Sequence, residues 1–143
     1  MKNPSVSLYK AFYNAIGDTV TVDGTDYPYY GADIPSPPAV VYLWCSVTTS
    51  DDTGTRDRFN YEYLVQLTCV AKSTLPAGAT FTCETVLDAA VSFVQRGTGL
   101  TDPDGNFTID SIKLFDTDSG ESNYGNIREK YSRIIFTVGI GEN

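Results

Sequence analysis

Histidine is absent from all 143 residues, and that one absence removes a good deal of chemistry. Triads that rely on imidazole, histidine metal sites and imidazole charge switches near neutral pH are all excluded. Cysteine is scarce: Cys45, Cys69 and Cys83 cannot all pair within the chain, and no Cys-x-x-Cys occurs. Buried free thiols in a reducing compartment are the expectation. Long hydrophobic runs are missing as well. The longest, Ala39 to Cys45, is seven residues, against the roughly 20 that a membrane-spanning helix needs. Met1-Lys2-Asn3-Pro4 leads into polar and aromatic residues without an apolar h-region, so no signal peptide is expected and synthesis in the cytosol is. Positive charge is short too: 10 Lys and Arg stand against 18 Asp and Glu, for a net charge of −8 and a pI near 4.3. Such a surface repels phosphate and argues against nucleic-acid recognition through a basic face.

What is present suits a single domain over residues 1–143: 41% hydrophobic and 20% charged residues can build a core without a metal or a disulfide framework. Asn3-Pro4 is a helix start, and Leu8, Ala11, Phe12, Ala15 and Ile16 form one apolar stripe that Gly17 ends, with Ser7, Lys10 and Asn14 opposite. Asp23-Gly24 between two short β-prone runs predicts a small hairpin. Four prolines between Tyr27 and Pro38 predict an extended connector whose tyrosines have apolar surface to bury. Ala39 to Val47 reads as a central strand, Thr48 to Asp57 as a polar loop, and Phe59 to Lys72 as a long strand of period two. After Pro76-Ala77-Gly78, a second helix with Thr80 or Thr82 as cap carries the stripe Cys83, Val86, Leu87, Ala90, Val91 and Val94 and stops at Gly97. Asp102-Pro103-Asp104-Gly105-Asn106 is a tight turn. Strands at Phe107 to Phe115 and Glu129 to Ile140 then flank an acidic loop, Asp116 to Asn126. The whole predicts an α+β fold: a mostly antiparallel sheet of long hairpins with two amphipathic helices packed on one face.

Candidate chemistry is thin. Asp102, Asp104 and Asn106 alternate as in a calcium loop, but Phe107 stands where that loop needs glycine and Lys113 where it needs glutamate. A turn explains the same residues. Carboxylate pairs for hydrolysis require a substrate cleft that a domain of this size has little room for. The cysteines lie in apolar stripes with no imidazole to generate a thiolate, so core packing is the better account. No phosphate loop or dinucleotide fingerprint appears, and no catalytic residues, cofactor or metal are expected. The 10 tyrosines suit a core and sheet surface, and they also suit contact with other proteins. The composition reads as a module whose work is contact. The alternative is a small acidic binding module of the inhibitor or immunity type, meeting a basic partner.

The amphipathic first helix, the proline–tyrosine connector, the strand Pro38-Ala39-Val40-Val41-Tyr42-Leu43, the long strand Phe59 to Lys72, the second helix and the closing hairpin together resemble the tail-terminator (tail-completion) proteins of bacteriophages. The resemblance runs from about Asn3 to Ile140 and rests on element order and length. It implies a structural virion protein, not an enzyme, that assembles as a homo-oligomeric ring, commonly of six copies. Such a ring caps the tail tube or joins it to the head connector or neck, and lets DNA pass. Six copies at −8 carry roughly −48, which keeps DNA from sticking to a channel wall. The Asp23-Gly24 hairpin and the Asp116–Asn126 stretch depart from the pattern and leave a related neck or connector ring open. On this reading Asp51, Asp52, Asp116, Asp118 and Glu121 are the candidates for facing the channel or the next ring, and free hairpin edges for meeting neighbours.

Overall fold

Asn3 opens the first helix by capping it. In the computed structural model, which describes residues 3–52, 60–72, 79–95, 100–124 and 127–143, Asn3 Oδ1 accepts the Ser5 backbone N–H at 3.0 Å. Helix α1 (Pro4–Ile16) buries Leu8, Ala11, Phe12 and Ile16 and ends at Gly17, whose φ of 87° needs a glycine and whose N–H donates to the Tyr13 carbonyl. Ser7, expected on the polar face, is buried instead because its hydroxyl bonds the Asp102 carboxylate. Strands β1 (Thr19–Val22) and β2 (Thr25–Pro28) form the expected hairpin; Asp23 and Gly24 both have positive φ, as a tight two-residue turn requires.

The main sheet has four antiparallel strands in the order β3-β4-β6-β5: β3 (Val41–Asp52), β4 (Asn60–Lys72), β5 (Phe107–Tyr124) and β6 (Ile127–Glu142). Helix α2 (Ala79–Gln95) lies across β4 and β6, and α1 lies over β3. This is the predicted α+β arrangement. The helix-side positions Leu43, Cys45, Val65, Leu67, Cys69, Phe136, Val138 and Ile140 are at most 1% exposed. Each large apolar side chain buried in this way stabilises by roughly 1.5–3 kcal/mol. Phe12 meets Phe136 at 6.5 Å between ring centroids, joining α1 to the sheet.

Four further expectations are corrected. Ala39 to Val47, expected to be a central strand, falls at the edge of the sheet, because β3 is an outer strand in the order β3-β4-β6-β5. The polar segment after Val47 is not all loop: β3 continues to Asp52, with Asp51 opposite Glu62 and Asp52 opposite Tyr61. The remainder of that expected loop, 53–57, lies outside the described residues, as do Phe59, Pro76-Ala77-Gly78, Arg96, Gly97, Gly125 and Asn126. The acidic stretch Asp116 to Tyr124 is likewise strand, not loop. Its partner strand explains why: Asp118 faces Arg133 and Glu121 faces Lys130 across the ladder. Read alone, the segment is a solvated run of acids; opposite β6 it is a cross-strand set of complementary charges. Finally, α2 begins at Ala79, so Thr80 and Thr82 lie within the helix rather than capping it.

Candidate functional site

The sheet has two outer edges, and they are treated differently. On β3 the connector runs alongside in a parallel bridge, Tyr29 to Leu43. The Tyr30 N–H donates to the Leu43 carbonyl at 3.0 Å, and the Cys45 N–H donates to the Gly31 carbonyl at 2.8 Å. One step further, the Val47 N–H donates to Tyr9 Oη at 2.9 Å. Edge groups at Leu43, Cys45 and Val47 are therefore satisfied within the chain, which guards that edge against foreign strands. On β5, by contrast, no further strand lies outside it among the described residues.

That free edge is irregular in its first half and regular in its second. The register with β6 skips between Ile109 and Ser111 and again between Leu114 and Asp116. Each skip is a bulge, which twists an edge and discourages continuous pairing. The second bulge leaves two adjacent apolar side chains in solvent, Leu114 at 57% and Phe115 at 63% exposure. From Asp116 to Tyr124 the ladder then runs without interruption.

The five predicted acids separate into two sets. Asp52 shares a row with Tyr61 of β4, Asp116 shares one with Gln66, and Glu121 with Ala71. At about 3.4 Å per residue, the Asp52 row is roughly 17 Å from that of Asp116 and roughly 34 Å from that of Glu121. Asp116, Asp118 and Glu121 are all exposed along β5. Asp118 pairs with Arg133 at 3.3 Å, and Asp116 Oδ1 accepts the Thr117 N–H. Arg133 also donates to Gln66 Oε1 at 3.2 Å and lies 5.1 Å from the Tyr131 ring centroid.

Other titratable groups are structural. Burial opposes charge on Asp102, but N–H groups of Asp104, Asn106 and Phe107 and the Ser7 hydroxyl outweigh it and hold the carboxyl below its usual range. That carboxylate organises the turn into β5, which accounts for the calcium-like spacing. Lys10 reaches the same turn, donating to Asp104 Oδ2 at 2.6 Å. Burial pushes the Cys45 thiol up to about 12. The Cys69 thiol, hydrogen-bonded to Cys83 and buried, is pushed up as well, so it stays protonated.

A cleft of about 490 Å³ opens between α2 and the β5–β6 ribbon. Glu84, Leu87 and Asp88 border it from the helix, and Thr117, Ser132 and Ile134 from the ribbon. Sequence reasoning missed this cleft and the Leu114–Phe115 pair. A usable signal existed for the pair, since two adjacent apolar residues break the period of two and mark a bulge. For the cleft no sequence signal existed, because it depends on where α2 stops covering the sheet.

Among the described residues no helix is long and apolar enough to cross a membrane. No protein-family model and no curated protein matches the chain. A chain in the virion of a native gene transfer agent (GTA) particle has the same fold, with a TM-score of 0.63, 15% identity and 97% of each chain covered. At that identity the likeness is one of fold.

Proposed function

We propose that the chain is a structural virion subunit that forms a ring, of six copies, at the junction of a phage-like tail with its head, capping the tube or joining it to the connector while DNA passes. It transforms no substrate in this role. The observation that carries the reading is the end-to-end fold likeness to a chain of a gene transfer agent virion, over 97% of both chains. The free β5 edge and the exposed Leu114–Phe115 pair support it, because a closed ring needs one patch on each subunit to meet a different patch on the next. Because β3 is covered from Leu43 to Val47, on this reading neighbours meet through side chains at the β5 bulge rather than by joining that part of β3 to β5 as one continuous sheet. Asp51, Asp52, Asp116, Asp118 and Glu121 would then present charge to the channel or to the adjoining ring.

The test combines imaging with assembly. Negative-stain images of the protein with purified tail tubes should show rings at tube ends, and the Leu114→Ser/Phe115→Ser double variant should remain folded yet form none. Lysine at Asp51, Asp52, Asp116, Asp118 and Glu121 should leave the fold intact and block particle completion or DNA passage. Complete, infectious or transducing particles made without the protein would refute the reading, as would a stable monomer that ignores tubes and binds a basic enzyme.

A further inference from the structure

The cleft between α2 and the ribbon has an unusual lining for an exposed groove. Glu84 and Asp88 stand one helical turn apart on α2 and both border it. Like charges at this spacing repel slightly, and neither carboxylate makes an ion pair among the described residues. Across from them Ser132 is 3% exposed, and its Oγ has no hydrogen-bond partner among the described residues. A buried hydroxyl without a partner is uncommon and calls for an explanation. Leu87 and Ile134 supply apolar surface between these polar groups. Arg133 also borders the cleft, but its guanidinium is held by Gln66 and Asp118. Beside the cleft, Asp116 to Glu121 runs in unbroken register with β6, and among the described residues no further strand lies outside it.

We propose that this cleft receives an arginine or lysine side chain carried on an extended, basic segment of another protein, and that the segment adds as a strand to β5 along Asp116–Glu121. The two halves of the site are complementary in kind. Backbone N–H and C=O groups of the free edge bind any extended peptide, and the cleft selects its side chains. A long cationic side chain lays its methylene stem on Leu87 and Ile134 while its head donates to Glu84, Asp88 and Ser132 Oγ. The remaining acids of the segment, Asp116 and Asp118, stand on its other face and favour a strand with basic residues at either parity. This inference does not depend on ring formation: the site is contained in one subunit.

The probe is a synthetic peptide, acetyl-Thr-Val-Arg-Val-Arg-Val-Thr-amide, titrated into the full 15N-labelled chain at low salt, with the same peptide carrying Glu for Arg as control. The arginine peptide should shift amide signals of Thr117 to Glu121 and of Glu84 to Asp88, and the control should not bind. Glu84→Gln/Asp88→Asn should weaken binding about fivefold, the scale of one exposed charge pair. Ser132→Ala provides a readout that a merely structural serine would not give: removing an unpartnered hydroxyl leaves stability equal or higher, yet binding should fall about threefold. Unchanged affinity in both variants would overturn the proposal, as would equal binding of the control peptide or shifts confined to other surfaces. Self-association of the chain that vanishes in Glu84→Gln/Asp88→Asn would overturn it too, since the occupant would then be a second copy. Failure of rings to form would leave this outcome untouched.

Discussion

Leu114 and Phe136 are direct neighbours across β5 and β6 and share one face of the sheet, yet Phe136 is 0% exposed and Leu114 is 57% exposed. Leu114 stands beside the second bulge of β5, and the helix layer, which lies over β4 and β6, stops short of its strand. On one side of that line the sheet is held by packing, with Phe12, Leu67, Val65 and Val86 all fully buried. On the other side the ribbon is held by backbone pairing and cross-strand contacts. Burial and exposure are thus divided along a line running between two adjacent strands. The covered half fixes the fold, and the uncovered half leaves acids and two apolar side chains in solvent.

The strongest way to break this comparison is to truncate both residues. Phe136→Ala removes a ring from the buried side and should cost about 3–5 kcal/mol in urea unfolding. Leu114→Ala should cost under about 1 kcal/mol, as for an exposed position. Equal losses would mean that the ribbon is packed in solution by something that covers it, and the proposed division would fail.

The turn that launches β5 offers a second, intermediate test. Asp102 Oδ1 accepts the Asp104 N–H at 3.0 Å, and Oδ2 accepts those of Asn106 and Phe107 at 2.9 and 3.1 Å. Asp102→Asn keeps the shape but replaces one acceptor oxygen with a donor, so about 1–3 kcal/mol should be lost. Its pH dependence has a definite sign. The folded carboxyl is held below its unfolded value, so its contribution is complete above the unfolded pKa of about 3.9 and disappears as pH falls through the folded value. The wild-type advantage over Asp102→Asn, followed by thermal unfolding, should therefore be constant near neutrality and shrink below about pH 4. An advantage that grew on acidification would show that the carboxylate is not what holds the turn.

Legibility in the sequence follows the same line. Elements whose stability is local or packed were readable: the Asn3 cap, the Asp23-Gly24 turn, the two helix stripes and the inward alternation of β4 all occur where periodicity and turn chemistry put them. The ribbon was not readable. Asp116, Asp118, Ser119, Gly120 and Glu121 have poor intrinsic strand preference, and only their partners Arg133, Tyr131 and Lys130 make a strand of them. Such compensation is a property of register, which requires knowing that β6 continues past Glu129 to Ile127. The site failed to emerge for a related reason. Ser132 and Ile134 belong to an ordinary inward-facing series, and they border a cleft only because α2 ends its coverage there.

The smallest expected effect tests that account of the ribbon. Gly120 faces Tyr131, and a Cβ at that glycine would come within 2.6 Å of Tyr131 Oη, so the ring occupies the space a side chain would fill. An aromatic residue lying over a strand glycine restores the packing the glycine lacks. Arg133 extends this contact by lying over the Tyr131 ring and pairing with Asp118. Tyr131→Ala should therefore loosen the ribbon locally, by about 0.5–1 kcal/mol, the scale of one cross-strand pair. Amide exchange at Thr117 to Glu121 should quicken severalfold, while amides of Leu67 and Val138 under the helices keep their wild-type protection. Asp118→Asn should do less, since an exposed ion pair contributes at most about 1 kcal/mol and salt screens it. If Tyr131→Ala lowered protection equally under the helices and in the ribbon, the ribbon would open only with the whole molecule. Local pairing would then not be what makes a strand of these acids.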